Sequence, residues 1–562
     1  MNREAIRLQN VTYFYPKTSE PALENVTLTV SEGEFLVIAG PSGGGKSTLC
    51  KIVTGLIPHL YGGKLAGEAY VYGLNIAEAD VKNLVSTVGV VLQNPENQIV
   101  NIVVEEELAF ALENLLFDRD EIVSRIEEVS RKLGISHILG RSTYELSGGE
   151  TQKVVLGSIL ALKPKILVLD EPLAHLDPPT ALDLIRFLQY LNKVEGRTII
   201  VVEHRLSELL RCASRLVILD KKIVYDGPPR KAIEDIADVG SVYGIEIPPI
   251  AKLGKIMRST YSPLDVDEAL TMLRSSNTVF KTGLPKPVNN EAPDPTCRDV
   301  AISVQGLWHI YRNGVVALKD INLEVCRGEF VAIVGGNGSG KTTLVKHFNG
   351  LLKPTRGKVL VLGKDVTKHS VAELAQHVGL VFQNPLYYFF RDTVYDEVMF
   401  TARSMNVENA EEKVAEILDR LGLSHIAKRS PYEISVGEQR RLAIASALVY
   451  NPEILVLDEP TAGIDFKLKM ELLEIITSAW REGRTVIITT HDIEFLSHAP
   501  VQKVVVLEKG GIVALGNPRR VFYELLPADM EMYLPQTVRL VKRLGVDSAI
   551  RPLNIDDLET AP

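Results

Sequence analysis

Short, wholly apolar runs recur along the chain and stop abruptly at a glycine or a charge. EFLVIAG (34–40), KILVLDEP (165–172), TIIVVEH (198–204), EFVAIVGG (329–336) and EILVLDEP (453–460) each hold four or five consecutive apolar residues. Runs without polar alternation predict strands buried on both faces, as in a parallel sheet covered by helices. Helix-like stretches, TLCKIVTGL and TLVKHFNGL, follow two of these strands shortly afterwards. SPLDVDEALTML (262–273) reads as a further helix, with Ser262 as N-cap and Pro263 in the first turn. The pattern predicts an α/β chain. No apolar run reaches the roughly 18–20 residues needed to cross a membrane, and no N-terminal signal pattern is visible. The chain is expected to be soluble, so any membrane role would pass through a partner.

The same pattern occurs twice. GPSGGGKST (40–48) returns as GGNGSGKTT (335–343), VVLQNPENQ (90–98) as LVFQNPLYY (380–388), and TIIVVEH as TVIITTH (485–491). The spacing drifts only from 295 residues at Lys46 and Lys341 to 287 at His204 and His491. Loops have changed length while order has not, which is how a duplicated domain reads. The duplication continues past the histidines, where IPPIAKL (247–253) matches LPQTVRL (534–540). This predicts a first domain over 1–240 with a C-terminal extension over 241–280. The second domain is expected over 300–525, with its own extension over 526–562. KTGLPKPVNNEAPDPTCRD (281–299), with four prolines and no period, is expected to be an extended linker.

Composition changes this picture little. A chain of 562 residues with 46% hydrophobic residues can bury two large cores. Its net charge of −9 argues against a general nucleic-acid binder. Cys50, Cys212, Cys297 and Cys326 form no metal-binding spacing and are expected to be reduced thiols.

The chemistry lies where apolar runs end. Gly40-Pro41-Ser42-Gly43-Gly44-Gly45-Lys46-Ser47-Thr48 and Gly335-Gly336-Asn337-Gly338-Ser339-Gly340-Lys341-Thr342-Thr343 both fit the phosphate loop, and both lie between a strand and a helix. Glycines there let successive backbone N–H groups converge on a phosphate, and the helix N-terminus adds its dipole. Lys46 and Lys341 would hold the outer phosphates, and Ser47 and Thr342 would bind Mg²⁺ through their hydroxyls. Asp170 and Asp458 end buried strands and would act through the Mg²⁺ shell. Glu171 and Glu459, which follow them, would polarise the attacking water as general bases. His204 and His491 end the next strand as candidate γ-phosphate contacts. Gln93 and Gln383, ending STVGVVLQ and QHVGLVFQ, could reach both metal and water.

Taken in order, the phosphate loop, the Gln, a signature-like stretch, ILVLDEP, a further Asp (Asp177, Asp465) and the His resemble the nucleotide-binding domains of ABC ATPases, twice over. The resemblance implies two P-loop NTPase domains in tandem, each with a helical subdomain and a small C-terminal extension. It implies ATP and Mg²⁺ as cofactors, with two ATPs held head to tail where the halves pair within one chain. Tyr15 and Tyr311, 31 and 30 residues before their lysines, match the family's adenine-stacking aromatic. The signature serine and glycines map onto Ser147, Gly148 and Gly149, and onto Ser435 and Gly437. In the second copy, Val436 replaces a glycine, and a β-branched residue would resist any left-handed backbone there. The site pairing Lys46 with Ser435 is therefore expected to be the weaker one, and that pairing Lys341 with Ser147 the stronger.

More narrowly, QNPENQIVNIVVEEELAFALEN (93–114) resembles the energy-coupling-factor ATPases, which drive uptake of vitamins and of cobalt or nickel ions. That likeness implies an ATPase at the cytoplasmic face of the membrane. Its partners would be an integral membrane scaffold and a substrate-binding membrane subunit, with no nucleic acid. The second half has aromatics in place of ENQIVN. Two other readings remain open at this stage: a soluble tandem ATPase acting on ribosomes, and the ATPase of a sugar-type importer.

Overall fold

The computed structural model describes residues 3–236, 243–257, 259, 261–275, 299–545 and 551–558. Two compact units emerge. One is Met1–Ala251 with Thr260–Asp265 and Asp465–Lys467; the other is Lys252–Ser259, Val266–Ile464 and Leu468–Pro562.

The first unit contains β1 (Glu4–Phe14), β2 (Leu23–Ser31), β3 (Phe35–Ala39), β4 (Lys64–Val71), β5 (Leu74–Asn75), β6 (Val88–Val91), β7 (Ile166–Asp170), β8 (Thr198–Val202), β9 (Arg215–Asp220) and β10 (Lys222–Gly227). A four-stranded antiparallel sheet runs β2-β1-β4-β5, and a six-stranded sheet runs β10-β9-β3-β8-β7-β6. Within the larger sheet, β9, β3, β8, β7 and β6 are parallel, with Val37 beside Val201 and Val168 beside Ile200. Every residue of β3, β7 and β8 is buried, as an unalternating apolar run requires. The smaller sheet packs on one face of the larger through Leu8, Leu28, Ile38 and Val168. The other face meets the helices, with Val37, Leu169 and Val201 against Leu108, Val154 and Leu188.

The second unit repeats the plan with β11 (Val300–Ile310), β12 (Val316–Cys326), β13 (Phe330–Gly335), β14 (Arg356–Val361), β15 (Lys364–Asp365), β16 (Val378–Val381), β17 (Ile454–Asp458), β18 (Thr485–Thr490), β19 (Lys503–Glu508) and β20 (Gly511–Gly516). Its sheets run β12-β11-β14-β15 and β16-β17-β18-β13-β19-β20. In both units the phosphate loop, the carboxylate pair and the histidine leave adjacent parallel strands at their C-terminal ends. Ligands of open α/β sheets gather there. Each unit also carries the expected helical subdomain: helices Val104–Asn114, Arg119–Leu133 and Gly148–Ala161 in one, and Val394–Ser404, Ala410–Arg420 and Val436–Leu448 in the other.

Three sequence expectations need correction or restriction. The helix expected from Ser262 begins only at Val266 and runs to Ser275. Ser262 does not cap it: its carbonyl accepts a bond from Arg230, whose guanidinium lies 4.1 Å over the Tyr261 ring. The cysteines are not all reduced. Cys50 and Cys212 are free, but Cys326 is disulfide-bonded. Of the linker at 281–299, all but Asp299 lies outside the described residues.

Candidate functional site

Each phosphate loop bridges a strand end and a helix start. Gly45 (φ 90°) and Gly340 (φ 105°) stand immediately before the helices Lys46–Val53 and Lys341–Phe348. Both are left-handed, and space is also denied: a Cβ would fall 2.4 Å from the Ala22 carbonyl oxygen or 2.7 Å from that of Ala317. Only glycine fits there. The lysines lie back along their loops. Lys46 Nζ donates to the Gly40 and Pro41 carbonyls at 2.9 and 2.7 Å, and Lys341 Nζ to those of Gly335 and Gly336 at 2.8 and 3.1 Å. Burial lowers the Lys46 pKa, against the pull of Glu171 and Asp170. A buried amine at the end of a loop of backbone N–H groups suits a phosphate, to which it could donate a charge-assisted bond.

The two candidate general bases share an uncommon backbone. Glu171 (φ 51°) and Glu459 (φ 48°) are both left-handed, a conformation that costs a non-glycine residue on the order of 1–2 kcal/mol. Their amides donate to Val202 and Thr489 carbonyls at 2.9 and 3.0 Å, so the neighbouring strand holds the turn. Each carboxylate thereby points at the strand ends rather than into the core. His204 Nε2 lies 3.1 Å from Glu171 Oε1, and His491 Nδ1 lies 2.9 Å from Glu459 Oε2. Burial alone would raise both glutamates. Bonds from His204 and the nearby Lys46 and Gln93 hold Glu171 below its ordinary value, and His491 with Lys341 does so for Glu459. Both are therefore carboxylates, as a general base must be.

The aspartates behave oppositely. Burial, with Glu171 adjacent, pushes Asp170 up to about 6, with the Ser47 hydroxyl pulling it partly back. Asp458 is also raised by burial, against bonds from Thr489 and Thr342. Asp170 Oδ1, Ser339 Oγ and Glu459 Oε1 are buried and lack a well-aligned hydrogen-bond partner. A carboxylate oxygen left over beside a serine or threonine hydroxyl fits a hard cation such as Mg²⁺. The residues that would hold it are Ser47 with Asp170, and Thr342 with Asp458. Such a cation would supply charge neutralisation at the phosphates.

The remaining candidates are placed unequally. Gln93 Nε2 donates to Glu171 Oε2 at 2.6 Å. Gln383 makes no such bond; Lys341 Nζ instead lies 3.2 Å from Glu459 Oε1. Tyr15 and Tyr311 are each tied to the far end of their loop, with hydroxyls 3.1 and 3.0 Å from Thr48 and Thr343 Oγ1. Ser147 and Ser435 cap helices Gly148–Ala161 and Val436–Leu448. The glutamate that ends each signature, Glu150 or Glu438, closes a reciprocal capping box. The expected backbone penalty at Val436 is absent. Gly148 is not left-handed, and a Cβ there would meet nothing within 4 Å, so valine is accommodated at the matching position. Gly437 is the more closely packed of the two signature positions, since a Cβ would lie 2.8 Å from Leu468 Cδ1 and that side chain would have to shift.

Sequence reasoning missed a set of residues around the loop behind Glu171. Glu203, 2% exposed, accepts the amides of Leu173 at 2.7 Å, His204 at 2.8 Å and Arg205 at 3.2 Å. Arg205 Nη1 donates to the Leu173 and Leu176 carbonyls at 3.3 and 3.2 Å. The Gln152 amide donates to Pro172 O at 2.6 Å. The signal was present in EHR (203–205), two charges bracketing the histidine at the end of an apolar strand. Only the fold shows that they grip the loop that follows Glu171.

Comparison with known proteins agrees with this geometry. The ABC transporter family model matches residues 23–174 and 318–462. A protein of Caldanaerobacter subterraneus subsp. tengcongensis, provisionally named an ABC transporter ATP-binding protein, is 35% identical over 97% of both chains. One of Bacillus subtilis (strain 168), provisionally named an HMP/thiamine import ATP-binding protein, is 33% identical over 92% of both. The archaeal ribosome recycling factor aABCE1, solved in complex with ribosomal stalk protein aP1, shares the fold at 22% identity and a TM-score of 0.57. That match covers 91% of this chain and 90% of that one. With two phosphate loops, two signature helices and two carboxylate pairs on duplicated sheets, the chain belongs to the ABC transporter family of ATP-binding proteins.

Proposed function

We propose that this chain hydrolyses ATP to ADP and phosphate to energise a membrane importer of the energy-coupling-factor type, for a vitamin or for a cobalt or nickel ion. It would work at the cytoplasmic face of the membrane, docked on an integral scaffold and a substrate-binding subunit. Among the described residues no helix is long and apolar enough to cross a membrane, so those partners would supply the passage. In this reading two ATPs lie head to tail, with Ser147 serving the nucleotide on Lys341 and Ser435 the one on Lys46. Glu171 and Glu459 act as general bases, and His204, His491, Gln93 and Gln383 contact phosphate, metal and water.

The observation that carries the reading is the continuity from an exposed apolar surface to a catalytic carboxylate. Val100 and Ile102 are 65% and 60% exposed. The backbone of Val100 and Asn101 is held by Glu107 Oε2 at 2.9 and 2.8 Å. Just upstream, the Gln98 side chain braces both Leu92 N, at 2.7 Å, and Val90 O, at 3.1 Å. Gln93, next in the chain, ends on Glu171. A partner helix pressing on this surface would therefore move a group bonded to the general base. The second half offers Tyr387 and Phe390, 77% and 71% exposed, at the matching place. The import name of the Bacillus subtilis relative supports the direction of transport.

The test is to solubilise source membranes in mild detergent, capture this chain and identify its companions by mass spectrometry. A multispanning scaffold with a small substrate-binding membrane protein is the expected result. Ribosomal proteins, or no membrane protein, would overturn the transport reading while leaving the ATPase chemistry standing.

A further inference from the structure

The loop behind the general base is gripped by an arginine in both halves, but from different elements. In the first unit the grip comes from the strand that carries the histidine, through Arg205, while the signature helix contributes only the neutral Gln152. In the second unit the residue matching Arg205 is Asp492. It caps helix Ile493–His498 and pairs with Lys469 at 2.6 Å. The residue matching Glu203 is Thr490, whose hydroxyl accepts from the Asp492 amide at 2.9 Å. The carboxylate that receives three amides in the first unit is thus a threonine hydroxyl in the second, and the arginine beside it an aspartate. The residue matching Gln152 is Arg440, 5% exposed. Arg440 Nη2 donates to the Ala462 carbonyl at 3.2 Å, and Nη1 donates to the carbonyl of Gln383.

Among the described residues the second contact has no equivalent in the first half. Gln152 bonds the catalytic loop alone. Arg440 bonds that loop and the Gln383 segment at once, because a guanidinium carries several donors in a rigid plane where an amide carries two on one nitrogen. It thus joins three elements: the signature helix, the segment between the exposed Tyr387–Phe390 surface and the site, and the loop running from Glu459 to Ile464.

We propose that Arg440 is a positioning residue for hydrolysis at the second phosphate loop, strapping the Gln383 segment to the loop behind Glu459. The first site has no such strap; there Gln93 reaches Glu171 through its own side chain. The proposal rests on the reading above that Gln383 and Glu459 serve the nucleotide on Lys341. Arg440 acts in this proposal through the Gln383 and Ala462 carbonyls that it bonds. Its loss therefore alters how often the attacking geometry is reached, and leaves nucleotide affinity, which depends on Lys341 and Tyr311, unchanged.

The experiment measures ATP hydrolysis by the full chain in two backgrounds, Glu171→Gln to isolate the second site and Glu459→Gln to isolate the first. Arg440→Gln is added to each. Glutamine is the residue the first half uses at this position, so the variant is expected to fold, and thermal melting checks that it does. In the Glu171→Gln background kcat should fall about ten- to a hundredfold, the scale of a one-ångström misplacement, with KM for ATP within about twofold. In the Glu459→Gln background it should change by less than about twofold. Arg440→Lys, which keeps the charge but not the fork, should fall between wild type and Arg440→Gln. Equal losses in both backgrounds, a rise in KM with kcat intact, or a lower melting temperature with unaltered kcat would each overturn the strap. Turnover that is indifferent to Glu459→Gln itself would remove the underlying reading along with it.

Discussion

The Gln93 side-chain amide donates to the Glu171 carboxylate at 2.6 Å, whereas the matching pair, Gln383 and Glu459, makes no such bond. Glu459 is held instead by Lys341, at 3.2 Å, and by His491. Two copies of one domain thus hold the same candidate general base in two different settings. In the first, the base is bonded to a segment that lies next to an exposed apolar surface. In the second, it forms an ion pair with the phosphate-loop lysine, which a bound phosphate would also attract.

The two bases should therefore be unequal in use. Glu171→Gln and Glu459→Gln are each expected to lower hydrolysis at their own site by about 10²–10⁴-fold, the usual worth of a general base. Because the sites differ, total turnover should fall unequally in the two variants. Steady-state phosphate release by each single variant checks this, and equal losses would count against the asymmetry.

Val436 should cost nothing in folding. It occupies the first position of a helix capped by Ser435 and is 46% exposed. Val436→Gly is expected to destabilise the second domain by no more than about 1 kcal/mol, the penalty of glycine in a helix. Any gain in turnover would then arise where the exposed side chain faces a ligand. Denaturant unfolding beside ATPase assays separates the two, and a marked gain in stability from Val436→Gly would show that the valine is strained after all.

Glu203 should matter to both stability and rate. Replacing it with Ala strands two buried amides and a part-buried one, each buried amide worth ~1–3 kcal/mol when unsatisfied, so a loss of about 2 kcal/mol or more is expected. Glu203→Gln retains an acceptor oxygen and should lose less. Because two of the amides belong to Leu173 and His204, the surviving folded protein should also hydrolyse ATP more slowly at the first site. Unfolding midpoints with site-isolated turnover test this; a Glu203→Ala protein with normal stability would refute the bonding described here.

His347 should make the second domain sensitive to acid. It is wholly buried, bonds the Thr343 carbonyl through Nδ1 at 2.8 Å, and meets the His309 ring edge-on at 4.9 Å. Burial first, and His309 after it, lower its pKa from 6.5 to about 4. A depressed histidine is neutral in the folded protein and protonates more readily when unfolded. Its contribution is therefore complete above about pH 6.5 and is lost as pH falls from there toward 4. At 1.36 kcal/mol per pKa unit this amounts to on the order of 3 kcal/mol. His347→Phe should flatten that portion of the stability–pH curve, measured by urea unfolding between pH 4 and 7; an unchanged slope would rule the residue out.

Much of this protein was legible in its sequence because the chemistry hangs on backbone geometry at fixed spacing. Phosphate loops need glycines where a side chain would strike Ala22 or Ala317, and buried parallel strands need unbroken apolar runs. Carboxylates and histidines that leave those strands must emerge at the same edge. Tertiary structure alone decided the rest, since it depends on contacts between residues far apart in the chain. Position 148 tolerates a side chain because nothing packs over it, while one at Gly437 would have to displace the Leu468 side chain. Glu203, Arg205 and Arg440 are ordinary charges in the sequence. They hold the loops behind Glu171 and Glu459 only because buried carbonyls and amides lie within reach, and in a dry interior each of those groups must find a partner.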